Sequence, residues 1–227
     1  MKKSIGMLVA VEIQAVLDKF GPALEELSFP GYKVHKYSAE QYDLYILKCG
    51  AGEIAAAAGV QFLITKFDVD MVVNFGVVGG LTPEMAVART CIVEKVVHYD
   101  FDTSAFDHCE PARYLEYPDV YLPASKELLE AAMEIHPDLQ KVICASGDKF
   151  IDSKEKKQEL HDLYGADICE MEASAIVLTC NRSGVPCLLI KTVSDSITGG
   201  AEEFGREINR TASLCLDMAI RIVEKMC

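Results

Sequence analysis

The chain has 227 residues, half of them hydrophobic, which is long enough to bury one substantial core. Its net charge of −13 excludes the basic face that nucleic acid demands, and no apolar run is long enough to span a membrane. Nine cysteines are scattered through apolar segments with no C-x-x-C pair, the pattern of reduced, buried thiols in a cytoplasmic protein without a zinc site.

Taken in chain order, "SIGMLVAV" (4–11) is an aliphatic strand that meets Glu12 too soon to be the core of a signal peptide. "IQAVLDKFGPALEEL" (13–27) has helical spacing with a Gly-Pro break. "YKVHKY" and "YDLYILKC" read as two strands of a hairpin, and "GAGEIAAAAGVQFLITKF" (50–67) as a glycine turn opening an alanine-rich helix. "VDMVVNFGVVGGL" (69–81) is a buried strand ending in glycines, and residues 88–102 are again rich in β-formers. Residues 107–123, with three prolines, read as a surface loop. Then follow the helix "SKELLEAAMEI", the strand "KVICASG", and a solvated helix "DSKEKKQELHDLYG" capped by Asp152 or Ser153. The segment "ADICEMEASAIVLTC" (166–180), the strand "VPCLLIKTVSD" (185–195) and a helix over 201–226 complete the chain.

Buried strands alternating with helices predict a single α/β domain over residues 1–227, a twisted mixed sheet flanked by helices. Ligands of such folds gather beyond the carboxyl ends of strands, so the residues there are the site candidates. Gly76, Gly79 and Gly80 permit close approach of a ligand, although a tight turn explains them as well. Asp195 is either a helix cap or a general acid at a pocket mouth. Glu170 and Glu172 stand two apart in an apolar run, where carboxylates are rarely buried unpaired. On one helix they would point about 200° apart, so they are placed at a strand end and the start of the following helix. Met171, Ala173 and Ile176 bring apolar surface beside them, the setting of a ligand that carries hydroxyls.

"CEMEASAI" resembles the glutamate-methionine-glutamate motif of the 5′-methylthioadenosine/S-adenosylhomocysteine nucleosidases and related purine nucleoside phosphorylases. "KSIGMLVAVEIQAVL", "VVNFGVVGGLTPEMAV", "HYDFDTSAF", "ASGDKFI" and "KTVSDSI" resemble further motifs of that family in the same order, so the likeness covers nearly the whole chain. It implies cleavage of the N-glycosidic bond of a purine nucleoside, with no metal or cofactor. Asp195 would protonate the purine at N7 with Ser194 helping to place it. Glu172 would accept hydrogen bonds from the ribose hydroxyls, Met171 would lie against the sugar, and Phe150 would stack on the base with the Ile151 backbone reading its edge. Glu170 would be structural. The 5′ substituent implied is methylthio or homocysteine, which would place the reaction in methionine salvage. Tyr99, Phe101 and Phe106 of "HYDFDTSAF" would meet the partner subunit of a homodimer.

The half of the site that handles the nucleophile departs from the family. Gln14 falls where the nucleosidases carry a glutamate that activates water, and an amide cannot take that proton. Glu12 would replace it if the loop is extended there, because residues two apart then share a face. Phosphate as nucleophile would make the protein a phosphorylase and needs cations, for which Arg89 and Lys48 are candidates. A sensor that binds nucleosides without cleaving them is the third alternative. Val77, where the family often has a small polar residue, and Ala88-Arg89, in place of glycine-aspartate, lie near the same point.

Overall fold

The computed structural model describes residues 2–227. Strand β1 (Lys3–Val9) leads through residues 10–12 to helix α1 (Ile13–Phe20). The helix stops at Gly21, whose φ of 68° no other residue adopts readily and whose N–H closes on Leu17 O, and Pro22 bars continuation. The helical pattern expected as far as residue 27 therefore ends early. Residues beyond the break instead form β2 (Glu25–Phe29), the outer strand of a meander with β3 (Tyr32–Ser38) and β4 (Tyr42–Lys48). A neighbouring strand offers these backbone groups the partners that an interrupted helix cannot.

Helix α2 (Glu53–Phe67) precedes β5 (Met71–Gly80), all ten residues of which are buried. Then come β6 (Thr90–His98), the single turn α3 (Ser104–Asp107), β7 (Tyr121–Pro123), α4 (Lys126–Ile135), β8 (Gln140–Ser146) and α5 (Lys154–Tyr164). The chain ends with β9 (Ile168–Glu170), α6 (Ala173–Ser183), β10 (Cys187–Asp195) and α7 (Ala201–Met226). The expected surface loop over 107–123 is a loop for most of its length. Its last residues form β7 on the edge of β6, and it is pinned by Tyr114, whose ring stacks on Phe101 at 4.2 Å. Of the two candidate caps of α5 it is Ser153 that accepts the Lys156 N–H, while Asp152 accepts from Ala201 N across the molecule.

Among the described residues ten strands form one mixed sheet, with β10-β6-β8-β9-β5-β1-β4-β3-β2 in order and β7 on β6. Strand β10 also pairs with β5, so β5, β10, β6, β8 and β9 close into a ring. Side chains of β5 alternate between the two faces, as the strand period requires. Met71, Val73, Phe75 and Val77 pack into a core with α1, α4 and α7, and Val72 and Val78 into a second with α2 and α6. The antiparallel contact of β5 with β9 is confined to Gly79↔Cys169 and Gly80↔Ile168, the last two residues of β5 and the first two of β9. Because β9 has only three residues, this contact still brings its last residue, Glu170, beside the end of β5.

The end of β5 is tightly packed. A Cβ on Gly80 would lie 2.1 Å from the carbonyl oxygen of Met85, which is backbone and cannot swing aside. Gly80→Ala is expected to destabilise the protein by about 1–3 kcal/mol, the usual cost of overpacking. This is read as a lower urea midpoint with an unchanged m-value. An unchanged midpoint would contradict so close an approach.

Candidate active site

The carboxyl ends of β5, β8, β9 and β10, with the loops after β1 and β4, surround a cavity of about 170 Å³. Val77, Val78 and Gly79 of β5 form its floor with Ser194 and Asp195 of β10, and Glu12, Glu172, Met171, Phe150, Ile151 and Phe204 complete the wall. Of the residues given catalytic or substrate-binding roles from sequence, only Gln14 is missing from it. The expectation of an extended loop that presents Glu12 and Gln14 on one face is corrected, because α1 begins at Ile13. A helical turn rotates Gln14 outward, where it is exposed and donates to Asp18 at 2.7 Å. Arg89 and Lys48 are also exposed and outside the cavity wall.

Glu12 is buried, and both its oxygens are held by backbone. Oε1 accepts the Val77 N–H at 3.0 Å and Oε2 the Val11 N–H at 2.9 Å. Gly76 makes room for it, since a Cβ there would stand 3.1 Å from Glu12 Oε1. Gly79 does the same for Asp195, whose Oδ2 would lie 3.1 Å from an added Cβ. Glycines in "NFGVVGG" thus serve close approach of carboxylates and backbone rather than a turn.

Glu170 is the hub. Its carboxylate accepts the N–H groups of Glu172 and Ala173 at the start of α6, and the Lys191 ammonium at 3.0 Å. Burial opposes its charge, but Lys191, Ser146 and the helix N–H groups outweigh burial and hold it below the usual carboxylate range. Glu172, the residue before α6, turns to the cavity with Oε1 accepting only the Gly52 N–H, at 2.8 Å. Burial, with the Glu170 charge close behind it, pushes Glu172 up to about 8. Behind it Glu53 accepts from Ser146 Oγ at 2.6 Å, from Ser174 Oγ and from Ala175 N, and burial and Glu170 push it up to about 7.

Asp195 is buried. Its Oδ1 accepts from Ser194 Oγ at 2.9 Å and its Oδ2 from Lys157 Nζ at 2.6 Å. Phe150 is 44 % exposed, so one side of its ring is free at the cavity mouth, while Phe204 of α7 meets it edge-on with centroids 5.4 Å apart. Sequence reading passed over Lys157, Lys191, Glu53 and Phe204. A lysine within an aliphatic strand ("LLIKTV") was a usable signal for Lys191, whereas Lys157 sits among solvated lysines and carried none. The group can bind a polar ring with hydroxyls, move a proton at either of two carboxylates, and stack an aromatic base.

A mixed sheet with an acidic cavity at its strand ends and an aromatic ring at the mouth is an architecture that known proteins share. Residues 5–227 match the family model of the phosphorylase superfamily, to which the chain belongs. An aminodeoxyfutalosine nucleosidase of Helicobacter pylori is 30 % identical over 202 residues, 86 % of this chain and 87 % of that one. A 5′-methylthioadenosine/S-adenosylhomocysteine nucleosidase of Staphylococcus aureus is 32 % identical over 204 residues, 87 % of this chain and 89 % of that one. Helicobacter pylori 5′-methylthioadenosine/S-adenosylhomocysteine nucleosidase with butyl-thio-DADMe-Immucillin-A superposes with a TM-score of 0.92, at 26 % identity over 99 % of each chain. With relatives of this kind the protein is an N-glycosidic hydrolase of the nucleosidase type.

The raised carboxyls make stability depend on pH. Both have an ordinary value of 4.5, so between there and about 8 the folded form binds more protons than the unfolded, and stability falls as pH rises. Burial lowers His35 and His98 from 6.5, so their contribution has the opposite sign and lies below that value. Between pH 7 and 9 the urea midpoint of the wild type is expected to fall, and that of Glu172→Gln to fall less. Equal slopes would show that Glu172 does not bind its proton in this range.

Proposed function

We propose that the protein hydrolyses the N-glycosidic bond of 5′-methylthioadenosine and S-adenosylhomocysteine, releasing adenine. The observation that carries this reading is the meeting of Glu12, Glu172 and Asp195 beside Phe150 in one cavity. A departing purine leaves well once N7 is protonated, and Asp195, oriented by Ser194, delivers that proton. Positive charge grows on the sugar as the bond breaks. Glu172, held by one N–H, has lone pairs left for the ribose hydroxyls, and the positive charge that grows on the sugar favours its ionised form. Phe150 stacks on the base, the Ile151 backbone reads its edge, and Met171 covers the sugar. Val77 and Gly79 form the floor beneath it. Glu12 takes the proton of the attacking water, the role that the sequence alignment assigns to Gln14.

Water as nucleophile is supported by the positions of Arg89 and Lys48, which a phosphorylase would need at the sugar and which stand elsewhere. Aminodeoxyfutalosine is the second reading of the substrate, favoured by the name of the Helicobacter pylori relative. These readings separate in one assay of free base from methylthioadenosine, S-adenosylhomocysteine, aminodeoxyfutalosine, adenosine and inosine, with and without phosphate. Methylthioadenosine is expected to be cleaved fastest and without phosphate, and a strict phosphate requirement would replace the hydrolase with a phosphorylase. On the best substrate Asp195→Asn and Glu12→Gln should each lower kcat by roughly 10²-fold or more, the usual scale of acid–base catalysis. Gln14→Glu should change it less than twofold. A Gln14→Glu variant several times faster than wild type would return the water-activating role to that position.

A homodimer completes the proposal. Phe106 is 86 % exposed in the loop that resembles the family's subunit contact, and Ile54 at the start of α2 is 84 % exposed. Light scattering is expected to give twice the chain mass, and a stable monomer would end this part of the reading.

A further inference from the structure

Lys157 is fully buried, although α5 is a mostly polar helix whose other buried residue is Leu160. Its ammonium has three N–H groups, and all three are used inside the protein. They reach Asp195 Oδ2 at 2.6 Å, Ser196 O at 2.7 Å and Gly199 O at 3.0 Å. Burying an ammonium costs several kcal/mol, and an apolar residue in the same slot often serves stability as well or better. The charge is therefore to be explained by what it touches. Among the described residues it touches one carboxylate, the group to which N7 protonation is assigned, and no other cation reaches Asp195.

We propose that Lys157 is a positioning residue for Asp195 and the store of the proton that Asp195 delivers to the leaving purine. The inference rests on the N-glycosidic reading above. As the C1′–N9 bond lengthens, its electron pair moves into the purine and N7 becomes basic. A proton passes from Lys157 Nζ to the Asp195 carboxylate and from that carboxyl to N7. The sugar cation takes the oxygen of water, and the proton released there goes to Glu12. The balance is nucleoside plus water to ribose plus neutral base, leaving Lys157 as the amine and Glu12 as the acid, and one proton returned through solvent resets both. Between two buried groups, the exchange of an ion pair for a neutral pair over 2.6 Å is cheapened by the desolvation that opposes the ions.

Other groups that face the pair hold their charge through the neutral range. The Cys169 thiol on β9 is pushed by burial up to about 12, and Glu203 of α7 is held low by the Ser196 N–H it accepts. Glu53 and Glu172 titrate in that range, so the ratio of variant to wild type is the quantity to follow.

The test measures kcat and KM from pH 5.5 to 9 for wild type and Lys157→Met, on methylthioadenosine and on the nitrophenyl riboside of the same sugar. Nitrophenolate departs without a proton. With methylthioadenosine at pH 8 the variant is expected to lose about 10²-fold or more in kcat, the scale of a lost proton donor, with KM within a few fold. The loss shrinks toward pH 5.5, where hydronium can supply the leaving base directly, and it is at least tenfold smaller on the nitrophenyl riboside. A loss below threefold, or one equal on both leaving groups and flat with pH, overturns the proposal. If Lys157→Met leaves its carboxylate partner unpaired and fails to fold, Lys157→Met/Asp195→Asn removes both charges. Its kcat should match Asp195→Asn within threefold, and a further tenfold loss would assign Lys157 a structural role in the 196–199 loop. A wild type that releases no base from any nucleoside would refute the nucleosidase reading itself, an outcome distinct from a silent Lys157.

Discussion

The buried ion pair of Glu170 and Lys191 is the interaction on which the site depends. Lys191 stands in the middle of β10, deep in the sheet, and Glu170 is the last residue of β9. Their attraction ties two strands of the closed ring, and the second duty of Glu170 is to collect the first N–H groups of α6. This fixes where α6 begins and so which way Glu172 turns. One cation among Glu170, Glu172, Glu53 and Glu12 cannot balance them all. Glu170 takes the benefit, and Glu172 and Glu53 are pushed upward by burial and by the charge of Glu170. Breaking such a pair by removing one partner leaves an uncompensated charge in the core, which is why a lysine can persist in a strand that is otherwise aliphatic.

The sheet supplies the rest of the arrangement. Because the last two residues of β5 pair with the first two of the three-residue β9, strands running in opposed directions deliver their carboxyl ends to the same cavity. Glycines at 76, 79 and 80 are the gaps that make this possible, one for Glu12, one for Asp195 and one for the Met85 carbonyl. The cavity that results is apolar in most of its wall and acidic at a few points. In such surroundings carboxylates act strongly on a growing positive charge, since little water screens them. Phe150 and Phe204 at the mouth add a stacking surface without adding charge.

Asp195 and Glu12 are held differently. Glu12 rests on two backbone N–H groups, which orient it without supplying a proton that can move. Asp195 rests on a hydroxyl and an ammonium, both of which can pass protons. One arrangement suits a group that accepts a proton from water and the other a group that must be supplied with one.

Local patterns settled much of this protein. A continuous apolar run ending in glycines marks β5, and the "CEMEAS" run places one glutamate at a strand end and the next at a helix start. The mixed α/β class and most residues of the cavity wall followed from the same run of strand ends and from ordered motifs. Local pattern misjudged Glu25–Phe29, where only a neighbouring strand decides between helix and sheet, and Gln14, where one turn of helix reverses the facing of a side chain. It was silent on Lys157 and Asp195, on Glu12 and Val77, and on Glu53 and Ser174, pairs separated by 38, 65 and 121 residues. Such pairs exist because a closed sheet brings distant strand ends together and excludes water from them. A lysine has the same composition and propensity whether it meets solvent or a carboxylate, and only the tertiary structure decides which.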